Sequence, residues 1–164
     1  MISNLQEIFS TSAKNMKRSA IREILKLTQK PDVISFGGGL PSAESFPVEE
    51  LKEIMIELLN EDGASALQYS ATEGVPELKE ILLEPHQKEG FDIKNENLSI
   101  ITSSQQGLYL LGKIFIDPGD KVICGLPSYL GGISAFSTFG ADLQGIKFDE
   151  KGMRADLLEK KLKD

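Results

Sequence analysis

Cysteine and histidine each occur only once in the 164 residues, and basic residues are outnumbered, 18 Lys and Arg against 25 Asp and Glu. One thiol cannot form an intramolecular disulfide, which fits a reducing compartment. Cys124 sits in the apolar run Val122-Ile123-Cys124 and reads as a buried small hydrophobe. His86 lies far in sequence from any candidate site segment, so it reads as an exposed surface residue and not as a general base. The net charge of −7 repels phosphate backbones and argues against a nucleic-acid partner. No apolar stretch approaches the ~20 residues of a membrane span. The first residues have no continuous apolar core and no small-residue cleavage site, so no signal peptide is expected and the location reads as cytoplasmic. Neither GxxxxGK[ST] nor GxGxxG occurs, which leaves nucleotide triphosphates and dinucleotides without support.

What remains is an ordinary globular composition, 40% hydrophobic and 26% charged, long enough to bury a core. Ser19 is placed to cap a helix over Ala20–Gln29, with Ile21, Ile24, Leu25 and Thr28 at three-four spacing. Val33–Phe36 reads as a short strand before the loop Gly37-Gly38-Gly39-Leu40-Pro41. Pro47 opens a helix whose face is lined by Leu51, Ile54, Met55, Leu58 and Leu59, closed near Asp62-Gly63. A loop over Leu67–Gly74 contains Tyr69, and a helix starting near Pro76 is expected to break or kink at Pro85.

From Leu98 the pattern becomes strand, helix, strand, helix, strand. The elements are Leu98–Thr102, Ser104–Phe115, Lys121–Cys124, Tyr129–Phe139 and a strand within Ala141–Phe148, followed by a turn and a helix over Asp156–Leu162. Short links between them predict parallel βαβ crossovers. So few strands would leave an open edge and an uncovered face, which hints that the sheet is incomplete.

Ile101-Thr102-Ser103-Ser104-Gln105 joins a strand end to a helix start. First-turn amides lack helical partners and the helix dipole favours an anion there. Ser103, Ser104 and Gln105 add donors, so the turn suits a phosphate. The plainer reading is a simple helix cap. Tyr129, in Leu126-Pro127-Ser128-Tyr129, follows the next strand end, the edge where open α/β sheets hold ligands. Its ring is suited to stack on a flat cofactor, or else to pack in the core.

Taken jointly, the segments resemble the class I/II aminotransferases, the pyridoxal-phosphate (PLP) enzymes of fold type I. They are ISFGGGLPSAESFP at 34–47, LQYSATEGVPELKE at 67–80, ITSSQQGLYLLGKIFIDPGDKV at 101–122, LPSYLG at 126–131 and FDEKGM at 148–153. They run in family order, and the GGGLP and SSQQG wording resembles the branch of 2-aminoadipate and kynurenine aminotransferases. The resemblance implies an α/β fold. It would be a partial PLP-transferase large domain, a mostly parallel sheet flanked by helices, preceded by an N-terminal helical segment. Residues 1–47 would form an arm and small-domain segment with the substrate loop, and 48–164 the first part of the large domain.

By the same resemblance Ser104 and Gln105, with Ser103, hold the cofactor phosphate, and Tyr129 stacks on the pyridine ring. Tyr69 reaches the phosphate across a homodimer interface. Gly39 and Leu40 lie against the substrate, and Arg22 helps to shape its pocket. Three positions depart from the family pattern: Ser103 replaces a usual Gly, Leu126 replaces an acidic or small residue, and Pro85 interrupts a helix.

The family's Schiff-base lysine and its pyridine-nitrogen carboxylate come well after the LPSY segment. The sequence runs 35 residues past Tyr129, and Lys151, Lys160, Lys161 and Lys163 match no such motif. They read as solvated charges. The expectation is a truncated aminotransferase, moving an amino group from an L-amino acid to a 2-oxo acid by lineage and inactive alone. Its alternatives are a noncatalytic relic, one half of a split enzyme with a complementary C-terminal chain, or another fold-type-I chemistry such as a lyase or racemase. An aminotransferase-like transcription regulator is disfavoured by the acidic charge and by a match that starts almost at Met1.

Overall fold

The computed structural model describes residues 5–16, 33 and 39–163. In chain order the helices are α1 (Thr11–Asn15), α2 (Val48–Ala66), α3 (Pro76–Lys88), α4 (Ser104–Phe115), α5 (Leu130–Thr138) and α6 (Ala155–Lys163). The strands are β1 (Lys121–Leu126), β2 (Asp142–Asp149) and β3 (Gly152–Met153). Two compact units result: residues 5–16 with 101–163, and residue 33 with 39–100.

The first unit is a small α/β fragment. β1 and β2 pair in parallel, with Lys121 opposite Asp142 and Leu126 opposite Lys147, and α5 makes the crossover. β3 returns antiparallel for a short stretch, Phe148 opposite Met153, so the small sheet is mixed, with the longer of its two pairings parallel as expected. The reason for the return is the turn after Asp149. Its carboxylate accepts from the Lys151 amide at 2.8 Å and reverses the chain for two residues of pairing. The Asp142 amide donates to the Asp120 carbonyl at 2.8 Å, which levels the starts of the two longer strands. Ile146 of β2 and Ala135 of α5 form the buried apolar centre. Beside it the Tyr109 and Phe139 rings lie 4.9 Å apart, centre to centre. α1 is capped by Ser10, which accepts from the Ala13 amide, and Asn15 donates to the Thr138 carbonyl at 3.4 Å.

α4 matches its predicted span, because a small polar residue precedes a regular apolar period. β1 runs two residues beyond its predicted end, to Leu126. The predicted strand Leu98–Thr102 does not pair with any strand among the described residues. Its backbone ties there are the Ile100 amide on the Glu73 carbonyl at 2.9 Å and the Leu98 amide on the Asn95 carbonyl at 3.3 Å. Strand conformation needs a neighbouring ladder, and none lies beside it there.

In the second unit α2 continues past Asp62-Gly63 to Ala66 through a kink at Asp62 (φ −143°, ψ 38°). α3 continues through Pro85. That proline lies in the last turn, and the Glu89 amide still closes onto its carbonyl at 3.1 Å, so little of the ladder is lost. The apolar face predicted for α2 does form a stripe, but Leu51, Ile54, Met55, Leu58 and Leu59 all remain exposed. Leu83 and Lys79 are the buried residues of α3. His86 is exposed, edge-on to Phe91. The predicted helix Ala20–Gln29, and the predicted strand Val33–Phe36 apart from Val33, lie outside the described residues. No helix among the described residues is long and apolar enough to cross a membrane.

Candidate functional site

Ser103 precedes α4 in fully extended backbone (φ −164°, ψ 165°), so the helix starts abruptly at Ser104. The Ser103 carbonyl accepts from the Gln106 amide at 3.0 Å and more weakly from Gly107 at 3.3 Å. Gln106 folds its side chain back, and its Oε1 accepts from the Thr102 amide at 2.6 Å. The Ser103 hydroxyl makes no capping bond. Among the described residues, nothing accepts from the Ser104 and Gln105 amides. These two N–H groups and the exposed hydroxyls of Ser103 and Ser104 all lie at the positive end of the helix. This is the donor set an oxyanion needs.

The Gln105 side chain is already engaged. Its Nε2 donates to the Gly131 carbonyl in the first turn of α5, at 3.2 Å. Tyr129 stands immediately before that helix, as its N-cap, with 65% of its surface exposed. The Leu126–Pro127 peptide bond that leads to it is cis. Behind Tyr129 is an apolar cavity of about 190 Å³, lined by Leu108, Cys124, Ser128, Ile133, Phe136 and Leu143 with Tyr129 itself. Cys124, expected to be fully buried, is only half-buried on that cavity wall. An open space on one side of β1 keeps it in reach of solvent.

One link, Gln105 to Gly131, therefore joins the α4 turn to the Tyr129 region. No local signal in the sequence announces it, because the partners are 26 residues apart. Tyr69, Gly39 and Leu40 belong to the other unit. Tyr69 is 99% exposed in the loop between α2 and α3, and its amide donates to Gln68 Oε1 at 2.8 Å. Gly39 adopts a left-handed turn (φ +62°) suited to glycine, and the following Leu40 is exposed. Arg22 lies outside the described residues.

Among the described residues, a pair with shifted ionisation lies at the start of α6. Arg154 grips Asp156 with two bonds, Nε to Oδ1 at 2.7 Å and Nη2 to Oδ2 at 2.5 Å. That hydrogen bonding holds the Asp156 carboxyl below the usual carboxylate range and raises Arg154 above its own. A lowered carboxylate contributes stability above its unfolded pKa and loses it as pH falls through the folded value. On acidification the α6 backbone resonances should therefore move with a midpoint below that of a free aspartate. Asp156→Asn should remove that step from an NMR pH titration, and an unchanged titration in the variant would exclude the pair as its source.

No protein-family model matches the chain. Individual relatives do. The chain is 44% identical over 161 residues to aromatic-amino-acid aminotransferase 1 of Thermococcus litoralis, covering 97% of this chain and 38% of that protein. It superposes on the kynurenine aminotransferase of Pyrococcus horikoshii, solved in complex with PMP, with a TM-score of 0.86 and 37% identity; the match covers 99% of this chain and 40% of that one. It also superposes on LysN, the α-aminoadipate aminotransferase of Thermus thermophilus, at a TM-score of 0.84 and 39% identity, covering 98% of this chain and 39% of that one.

The chain belongs to the fold-type-I PLP aminotransferases.

It spans about two-fifths of the length of these aminotransferases and corresponds to their N-terminal part. The LysN structure carries N-(5′-phosphopyridoxyl)-L-leucine. The aminotransferase fold is present here as a small mixed sheet with its helices.

Proposed function

We propose that residues 1–164 supply the phosphate-anchoring and ring-supporting part of a PLP site for amino-group transfer from an L-amino acid to a 2-oxo acid. The observation that carries this reading is the pair of acceptor-free amides at Ser104 and Gln105 in the turn that Gln105 ties to α5 and Tyr129. The residues present suit a planar group with a phosphate tail. The amides and the Ser103 and Ser104 hydroxyls would take the phosphate, and the exposed Tyr129 ring would lie against the flat face. PLP, when bound, supplies the electron sink for the reaction. Tyr69 is assigned to the phosphate of a second protomer, and Gly39, Leu40 and Arg22 to the substrate side. Residues 1–47 are read as the arm with the substrate loop and 48–164 as the start of the large domain. The substrate lean is towards 2-aminoadipate-like or aromatic amino acids, the kinds named in the relatives.

A single substitution separates this reading from a plain helix cap. Ser104→Pro removes one amide and one hydroxyl at the first helical position, where proline is tolerated. The extended Ser103 before it already suits a following proline. The helix should persist by circular dichroism. Equilibrium dialysis should show PLP affinity reduced about 10- to 100-fold, as expected for losing hydrogen bonds to a charged group. Equal retention of PLP by both proteins would leave the turn as a cap only.

A second reading is favoured by β1. Among the described residues it pairs only with β2, although Val122, Ile123 and Cys124 have the composition of a strand covered on both faces. With the exposed apolar stripe of α2, this supports residues 1–164 acting together with further polypeptide of the family fold.

A further inference from the structure

Gly131 has no role in the reading above beyond accepting one hydrogen bond, yet its surroundings are crowded. A Cβ placed on it would overlap Gln105 Oε1 and the edge of the Tyr129 ring, coming within 2.6 Å of Cζ. Gly131 lies inside α5 with ordinary helical backbone, so no positive φ calls for glycine there. Alanine would favour the helix itself over glycine. What demands the missing side chain is the meeting of two others over that one position. The Gln105 amide reaches across from α4 and donates to the Gly131 carbonyl, while the Tyr129 ring folds back along the same residue.

We propose that Gln105 and Gly131 form a clip that sets the Tyr129 ring against the α4 turn, making Gly131 a positioning residue for the cofactor ring. The clip rests on the PLP reading for its purpose but not for its geometry. The carbonyl accepts from the Gln105 side-chain amide at the start of α5. The bare Cα leaves the space in which the ring lies. Phosphate anchoring uses the amides of Ser104 and Gln105, which the clip does not occupy. Ring support and phosphate anchoring are therefore separable by mutation.

The test uses the full chain labelled with 3-fluorotyrosine, whose three tyrosines are Tyr69, Tyr109 and Tyr129. Tyr129→Phe assigns the resonance of interest. Gly131→Ala should move the Tyr129 ¹⁹F signal and leave that of Tyr69 in place. Gln105→Met, which keeps length and loses the amide, should move the same signal without changing α5. By equilibrium dialysis both variants should bind PLP about 2- to 10-fold more weakly, the scale of one aromatic contact. Gly131→Ala should hold inorganic phosphate as the parent chain does. An unmoved Tyr129 signal in both variants overturns the clip. Equal losses of phosphate and PLP affinity in Gly131→Ala also overturn it, because they point to a general disturbance of the turn. If the parent chain fails to retain PLP, the cofactor reading falls, while the fluorine shifts still decide the clip.

Discussion

Incubated with PLP, a panel of L-amino acids and 2-oxoglutarate, the purified 164-residue chain is expected to form no glutamate above the rate given by the cofactor alone. Transamination needs a positioned base to move a proton between substrate and cofactor carbons, a contribution worth about 10²- to 10⁴-fold. The lysines near the sheet are poorly placed for it. Lys121 begins β1, at the opposite end from Tyr129, roughly 17 Å away for a six-residue strand. Lys160 and Lys163 are exposed on α6, and Lys163 is paired with Glu159 at 2.5 Å. Lys147, opposite Leu126, and Lys151 in the following turn stand at the carboxyl end of the strands but are exposed to solvent, with nothing packed around them to hold a cofactor against the amine. Borohydride should fix the cofactor to none of them in stoichiometric amount. A specific adduct at Lys147 or Lys151, or sustained glutamate formation, would sink the proposal. Adding a polypeptide made from the part of the Thermococcus litoralis relative that this chain does not cover should raise the rate. No rise, despite a folded complex, would favour a noncatalytic role.

The second large effect concerns folding. Ile146→Ala should destabilise the first unit by about 2–5 kcal/mol, the range for deleting a buried branched side chain. Ile146 is 3% exposed and sits on β2 opposite Gly125, which has no side chain to close the gap. Among the described residues the buried apolar set is small, Leu83, Ala135 and Ile146, so no redundancy is available to absorb the loss. Net stabilities of domains are about 5–15 kcal/mol, and a unit with so little core belongs at the low end. Urea titration followed by circular dichroism should show the transition shifted well below that of the parent chain. An unchanged midpoint would mean that Ile146 is not part of the centre holding the sheet together.

Elements whose deciding information is local were legible in the sequence, and those decided by a neighbour were not. Ser104–Phe115 belongs to the first kind, because a helix start and a periodic apolar face are both local signals. Leu98–Thr102 has strand composition as well, but pairing is a property of the neighbour, and composition cannot supply one. The stripe on α2 was legible as a pattern, whereas its covering was not, since burial depends on what packs against it. Pro85 carries a strong local rule that its place in a final turn relaxes. At the candidate site, Ser103, Ser104 and Tyr129 follow from turn chemistry and motif order. The engagement of Gln105 with Gly131 does not, because only the packing of α4 beside α5 brings them together.

β1 has one more consequence, for the life of the polypeptide after synthesis. The side of it that no strand among the described residues pairs runs past Val122, Ile123 and Cys124 with a charge only at its first residue, Lys121, and a proline only after its last, at Pro127. An edge guarded only at its two ends is open to pairing with another extended chain, including a misfolded copy of itself. Solubility should therefore be limited by concentration and crowding, and chaperones should recognise the chain for as long as that edge stays unmatched.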